Sequence, residues 1–319
     1  MDLSVIVPLY NEEDSVIPLY KALVNTLNPL NLNYEILFID DGSRDKTYSL
    51  AKELAKNNQL LRVIKFRRNY GQTPAMVAGI EHAKGTILIT MDGDLQNDPA
   101  DIPNFIGKIK EGYDIVVGWR YKRQDKLLTR KIPSKVANWL IGKITGVRIK
   151  DNGCSLKAYR GDIIKNIPLY SEMHRFIPAI ASLAGVSVAE IKVNHHARQY
   201  GISKYGLSRI YKVLIDLITI KTIISFFPRP LVPFSLIAAV AALVSFFSFI
   251  SGIFHTLQFG QESIVFWGLT ILYGGLAIVL LFWGVLAELV YRTGNLKIEI
   301  FANLNADNEM SRNSEMEKR

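Results

Sequence analysis

Cys154 is the only cysteine in a chain of 319 residues. One thiol forms no intrachain disulfide and no cysteine-based metal cluster, so neither is available as a staple. Charge is missing from two long stretches, Leu231 to Phe254 and Ser263 to Ala287. Lys and Arg are missing from the short polar segment between them, His255 to Glu262. No basic n-region precedes the first apolar run, Leu3 to Leu9, which is strand-sized, so no signal peptide is expected. There is no internal repeat, and the polar tail is the one low-complexity segment.

Each charge-free stretch exceeds the roughly 20 residues that span a bilayer. Two of them around a short polar loop predict a membrane hairpin, with spans near 231–254 and 263–287. Lys221 and Arg229 precede the hairpin, and Arg292 and Lys297 follow it. The positive-inside rule then puts both flanks, both termini and the N-terminal region in the cytoplasm. Gly252, Gly268, Gly274 and Gly275 in the spans would permit close helix contacts and a homo-oligomer.

The net charge of +9 is concentrated rather than spread. Arg120 to Arg160 holds twelve Lys/Arg and two Asp, a local balance of +10. No nucleic-acid module accompanies this charge, so nucleic acid is not an expected partner. Lipid head groups and a phosphorylated substrate are the nearer anions.

From residue 1 to about 118 the pattern alternates between strand and helix. Strands are expected at Leu3–Leu9, Glu35–Ile39, Arg62–Phe66, Thr86–Met91 and Ile115–Gly118. Helices are expected at Asn11–Leu27, Lys46–Asn57 and Pro74–Ala83, with Asp45 as a cap for the second. This order predicts an α/β fold, a mostly parallel doubly wound sheet with helices on both faces. Ligands on such sheets bind beyond the carboxyl ends of the strands. Residues 119–205 show no clear element pattern. They hold the basic segment, a turn at Asp151–Ser155 and a polar stretch from His195 to Tyr205. Residues 206–228 are amphipathic, with Arg209, Lys212 and Asp216 on one face, and are expected to lie in the membrane interface. The tail from Asn303 is polar and expected to be disordered.

Asp92-Gly93-Asp94-Leu95-Gln96 carries the most chemical information. Two carboxylates and an amide oxygen follow a buried strand, with a glycine to turn the backbone between them. Hard oxygen donors of this kind suit Mg²⁺ or Mn²⁺ carrying a diphosphate. An acidic turn with no ligand would have the same composition.

Val5-Ile6-Val7-Pro8-Leu9-Tyr10-Asn11-Glu12, Asp40-Asp41-Gly42-Ser43 and Asp92-Gly93-Asp94-Leu95-Gln96, in that succession, resemble a family 2 glycosyltransferase of the GT-A fold. With the C-terminal hairpin, the chain is most similar to the polyprenyl-phosphate glycosyltransferases over about residues 3–290. These include the bactoprenol glucosyltransferases and dolichol-phosphate mannose synthase. The resemblance implies a catalytic domain at 1–205, an interfacial helix at 206–228, a two-helix hairpin within 229–291 and a cytoplasmic tail at 292–319.

It also implies roles. Pro8, Tyr10, Asn11 and Glu12 would line the nucleotide pocket, although Asn11 and Glu12 equally suit a helix cap. Asp40 or Asp41 would meet the base edge and ribose, with Ser43 behind them, and Gly71 would let backbone approach the nucleotide. Asp92, Asp94 and Gln96 would hold the metal, Asp94 and Gln96 more directly than Asp92. Arg120 and Arg123 would fork onto phosphate oxygens, of the donor or of the lipid. Arg198, Ser203 and Lys204 would form a basic loop over the diphosphate and the lipid phosphate. Asp151 would face the anomeric carbon, as a base or as a positioning group, while Cys154 packs.

The expected reaction is an inverting, metal-dependent transfer from a nucleotide sugar, UDP-glucose first, to undecaprenyl phosphate. A flippase or further glycosyltransferase would act downstream. No Gln-x-x-Arg-Trp is present, and one hairpin is too little for a polymer channel, so single transfer is expected. The rivals are GDP-mannose as donor, a lipid hydroxyl as acceptor, and a non-catalytic accessory subunit.

Overall fold

The computed structural model describes residues 1–121, 142–143, 149–167, 176–178, 181, 185–197, 221 and 229–293. Arg123, Arg198, Ser203 and Lys204, the amphipathic stretch 206–228 apart from Lys221, and the tail lie outside the described residues. The chain divides into two compact units, one within Met1–Ile218 and one within Thr219–Lys297.

The first unit is a three-layer α/β structure. Its strands are β1 (Leu3–Leu9), β2 (Tyr34–Asp40), β3 (Leu61–Lys65), β4 (Ile87–Thr90), β5 (Ile115–Arg120), β6 (Lys157–Arg160) and β7 (Val188–Val193). They form one sheet in the order β3-β2-β1-β4-β6-β5-β7. β1 to β4 are mutually parallel, and β5 is parallel to β7. β6 runs antiparallel to both β4 and β5, so it alone is reversed. The carboxyl ends of the other six strands therefore share one edge.

Helices α1 (Glu13–Leu27), α2 (Thr47–Asn57), α3 (Gln72–His82) and α4 (Ile102–Lys110) cover the sheet. Alternation along the strands sorts their side chains into two cores. Leu3, Val5, Val7 and Leu9 of β1 pack with α1 and α4, whereas Ile6 packs with α3 on the opposite face. In α1, Val16, Leu19, Leu23 and Leu27 recur at helical spacing, and all are buried.

The five expected strands and three expected helices are present with shifts of one or two residues. α1 starts at Glu13 rather than Asn11 because Asn11 has φ 50, outside the helical region. Among the described residues, further elements include α4, β6 and β7. β6 is four residues long and reversed, so it carries no parallel-strand signature.

In the second unit, α5 (Leu231–Phe259) and α6 (Ile264–Thr293) form an antiparallel hairpin closed at Gly260, φ 63. Helices of 29 and 30 residues measure roughly 43 Å at 1.5 Å per residue, more than a hydrocarbon core of about 30 Å. Their mutual face is lined with small residues: Ala238, Ala241, Ser248 and Gly252 are buried on α5. Ser245 Oγ donates to the Thr270 carbonyl at 2.8 Å. Leu236, Phe247, Leu257, Ile271 and Phe282 are exposed, as a lipid-facing surface requires.

Candidate active site

Four loops converge at the shared strand edge, and the first two bind each other. The Asn11 N–H donates to Ser43 Oγ at 2.9 Å, and Asn11 Oδ1 accepts from the Arg44 N–H at 2.9 Å. The Glu12 N–H donates to Thr47 Oγ1 at 2.8 Å, and Glu13 Oε2 accepts from the Lys46 N–H at 2.9 Å. No side chain of its own caps α1; the β2–α2 loop supplies acceptors for the N–H groups at its start. Glu12 Oε2 accepts from Ser15 Oγ at 3.2 Å, a contact between side chains and not a backbone cap. Asp45 Oδ1 accepts from the Thr47 N–H at 3.0 Å, at the start of α2. Pro8 is paired within the sheet opposite Ile39, and Tyr10 is half-buried just beyond it.

Asp40 ends β2 and Asp41 follows it, and the two do different things. Asp41 organises the loop after β3. Its carboxylate accepts from the Tyr70 N–H at 2.7 Å, the Gly71 N–H at 2.8 Å and Asn69 Nδ2 at 2.9 Å. Burial pushes the Asp41 carboxyl up; those N–H groups pull it partly back, Asp40 adds to the rise, and the net shift is upward. Asp40 is fully buried, and its Oδ2 has no hydrogen-bond partner among the described residues. A buried carboxylate oxygen without a donor is costly unless a ligand supplies one. Gly42 is required between these loops: it has φ +69, and a Cβ there would stand 2.3 Å from the Arg68 carbonyl carbon.

Asp92, Asp94 and Gln96 follow β4. Asp92 Oδ1 accepts from Gln72 Nε2 at 2.7 Å, which brings the start of α3 to the same place. Asp94 is buried, and its Oδ1 accepts from the Gln96 N–H at 3.1 Å across a turn in which Leu95 has φ 60. Gly93 serves close approach rather than an unusual backbone angle. A Cβ there would meet Leu9 Cδ2 at 2.4 Å. Among the described residues no group of three His, Cys, Asp or Glu is placed to hold a metal alone. Two carboxylates and an amide oxygen are nevertheless a fitting hard-oxygen set for Mg²⁺ or Mn²⁺.

Arg120 and Asp151, expected to act separately, form a chelate. Arg120 Nε donates to Asp151 Oδ2 at 2.7 Å and Nη2 to Oδ1 at 2.9 Å. The two side chains are 13% and 7% exposed, so water screens the pair little. Burial disfavours the guanidinium charge, but Asp151 outweighs it, with a further contribution from Asp92, and Arg120 stays protonated. Cys154 is fully buried, and burial pushes its thiol up to about 11, which removes it as a nucleophile.

Two side chains in this region, Lys157 and Gln72, have partners that local sequence does not reveal. Lys157, at the start of β6, is buried and donates to the Asn152 carbonyl at 3.2 Å beside the Asp151 turn. A charge within Leu156-Lys157-Ala158-Tyr159 is the one hint of it in the sequence. Gln72 adjoins a loop expected to contact nucleotide, but its partnership with Asp92 becomes visible only when β3 and β4 end together.

Residues 4–167 match the glycosyl transferase family 2 profile. A dodecaprenyl-phosphate galacturonate synthase of Rhizobium johnstonii is 46% identical over 234 residues, 72% of this chain and 69% of that protein. An undecaprenyl-phosphate 4-deoxy-4-formamido-L-arabinose transferase of Aeromonas hydrophila is 37% identical over 295 residues, 91% of this chain and 88% of that protein. Among solved structures, glucosyl-3-phosphoglycerate synthase from Mycobacterium tuberculosis with Mn²⁺ and UDP-glucose superimposes with a TM-score of 0.53. It is 17% identical and covers 69% of this chain and 78% of that one, a likeness of fold.

Proposed function

The chain belongs to glycosyl transferase family 2, among relatives named for transfer to polyprenyl phosphates, and on that premise we propose that it moves a sugar from a nucleotide donor to polyprenyl phosphate. One observation carries this reading: Asp40, Asp41, Asp92 and Asp94 gather at one sheet edge, with a buried oxygen of Asp40 still open to a donor. Such an oxygen suits an N–H of a nucleobase or a ribose hydroxyl. Pro8, Tyr10, Asn11, Glu12 and Gly71 line the same edge and frame the nucleotide.

An oxygen of the lipid phosphate attacks the anomeric carbon from the face opposite the nucleotide. The bond from that carbon to the diphosphate breaks, and the nucleoside diphosphate leaves with the electron pair. Attack from behind inverts the configuration and gives a β-linked polyprenyl-phosphate sugar. Asp92, Asp94 and Gln96 would hold a divalent cation, which would neutralise the charge that develops on the leaving group. Asp151 is a positioning group here: both its oxygens are committed to Arg120. The acceptor needs no strong base, because a phosphate monoester has its second pKa near 6.

The donor we take first is UDP-glucose. A UDP-hexuronate is the second reading, favoured by the 46% identity to a galacturonate synthase, and GDP-mannose is the third. α5 and α6 act as a transmembrane hairpin, with the catalytic domain and both termini on the cytoplasmic side. The decisive experiment gives the purified chain undecaprenyl phosphate, Mn²⁺ or Mg²⁺, and each radiolabelled donor in parallel. Label in the organic phase with one donor, lost with EDTA, supports the reaction and identifies the sugar. No label with any donor, although the protein binds nucleotide, would sink the acceptor assignment.

A further inference from the structure

The turn that carries Asp94 and Gln96 is held from outside by a segment on the far side of the sheet. The β4 ladder ends at Thr90, so the loop that carries Asp94 and Gln96 lies beyond the named strand. Leu95 sits at φ 60, a left-handed conformation that non-glycine residues disfavour. Such a conformation persists where its surroundings over-determine it. The surroundings here are Asn194, His195 and His196, which follow the edge strand β7.

Asn194, His195 and His196 make this clasp. The His196 N–H donates to the Gln96 carbonyl at 2.9 Å. Asn97 and His195 form an antiparallel bridge. His196 Nε2 lies 3.1 Å from Asp98 Oδ2. Asp101 Oδ2 accepts from the Asn194 N–H at 2.7 Å, and Oδ1 accepts from its Nδ2 at 3.3 Å. Asp101 occupies the N-cap position of α4, yet its side chain makes no capping bond there. An aspartate in that place ordinarily serves its own helix. This one is buried and turned to the segment after β7 instead.

We propose that Asp101 and Asp98, acting through Asn194 and His196, are positioning residues that fix the Asp94–Gln96 turn for divalent-cation binding. Neither touches the cation. The clasp sets the direction of the Gln96 backbone and thereby where the Gln96 amide and Asp94 carboxylate are presented. Outer partners of metal ligands typically change affinity by about 10- to 100-fold when removed. The proposal rests on the metal-dependent reading above.

The test measures Mn²⁺ binding to the full-length protein in detergent, with UDP present, by loss of the free-ion EPR signal. Asp101→Ala is expected to weaken Mn²⁺ binding by roughly tenfold, at the lower end of that range. Turnover should recover when Mn²⁺ is raised to saturation. Asp101→Asn keeps a carbonyl oxygen for the Asn194 N–H and should restore part of the affinity. His196→Ala removes one contact at an exposed side chain and should cost about threefold. If Asp101→Ala fails to fold, the exposed His196→Ala variant decides. Mn²⁺ affinity equal to that of the unmodified chain in the folded variants would overturn the positioning role and leave the reaction standing. No Mn²⁺ binding by the unmodified chain would overturn the metal-dependent reading and this role together.

Discussion

The two edges of the seven-stranded sheet use the same materials to opposite ends. At the edge where the parallel strands begin, Glu35 is buried and fully served. It accepts from Ser4 Oγ at 2.7 Å, Arg62 Nη1 at 2.7 Å and the Lys84 N–H at 2.6 Å. Burial pushes its carboxyl up, but these donors outweigh burial and hold it below its ordinary range. At the edge where the parallel strands end, Asp40 keeps an unpartnered oxygen and Asp41 is raised. One edge is closed for stability. The other holds negative charge in excess, the condition in which a cation or a hydrogen-bond donor from a ligand binds.

The strongest way to break this contrast is to remove the charge at the strand ends. Asp94→Ala should cut transfer by roughly 10²–10³-fold while leaving the unfolding midpoint nearly unchanged. Radiolabel partition and a denaturant titration on the same preparation would check both halves. The mirror experiment is Glu35→Ala. It removes a buried acceptor, leaves the Ser4, Arg62 and Lys84 donors without it, and should cost about 2 kcal/mol of stability. Little of that comes from Arg62, which is 36% exposed and screened by water. Mn²⁺ and UDP binding should be unaffected, and equilibrium unfolding with binding isotherms would show it.

A smaller effect separates the roles within the site. Asp151→Asn and Arg120→Met should each lower turnover by about tenfold, and the double variant should be no worse than the poorer single one. Additive losses in the double-mutant cycle would mean that the two side chains act independently, with Asp151 as a true base.

Acid unfolding sharpens the comparison further. The folded-state pKa of Glu35 is lowered, so its contribution is complete above the ordinary glutamate range and is lost as pH falls through the folded value. The folded-state pKa of Asp41 is raised, so its contribution is present at low pH and is lost as pH rises through that value. Stability measured between about pH 3 and 6 should therefore fall less steeply on acidification for Glu35→Gln, and more steeply for Asp41→Asn. The smallest expected change is a gain. Asp40→Asn relieves an unpartnered buried oxygen and should stabilise the fold by about 1 kcal/mol or less while weakening UDP binding. A loss of stability there would show that Asp40 is satisfied in solution.

The alternating strands and helices of residues 1–118 were legible because each is local. Val5, Val7 and Leu9 alternate with Ile6, and Val16, Leu19 and Leu23 step at helical spacing. The hairpin was legible for the same reason, as charge is absent over whole spans. β6 and β7 were not. β6 is four residues long and inserted in reverse between β4 and β5, and its Lys157 is a charge inside the core.

Which loops gather at one edge followed from the βαβ pattern, because parallel strands joined by helices put their carboxyl ends together. That pattern brought Asp40, Asp41, Asp92, Asp94 and Gln96 to one place as oxygen donors. What each side chain does there was settled by neighbours distant in the chain. Asp41 is occupied by Asn69–Gly71, Asp151 by Arg120, and the Gln96 turn by Asn194–His196. Residue type and local spacing determine the strands, the hairpin and the chemical kind of the site. Hydrogen bonds between residues 28 to 100 positions apart have no local periodicity, so the assignment of each carboxylate to a structural or a ligand-facing role belongs to the tertiary structure alone.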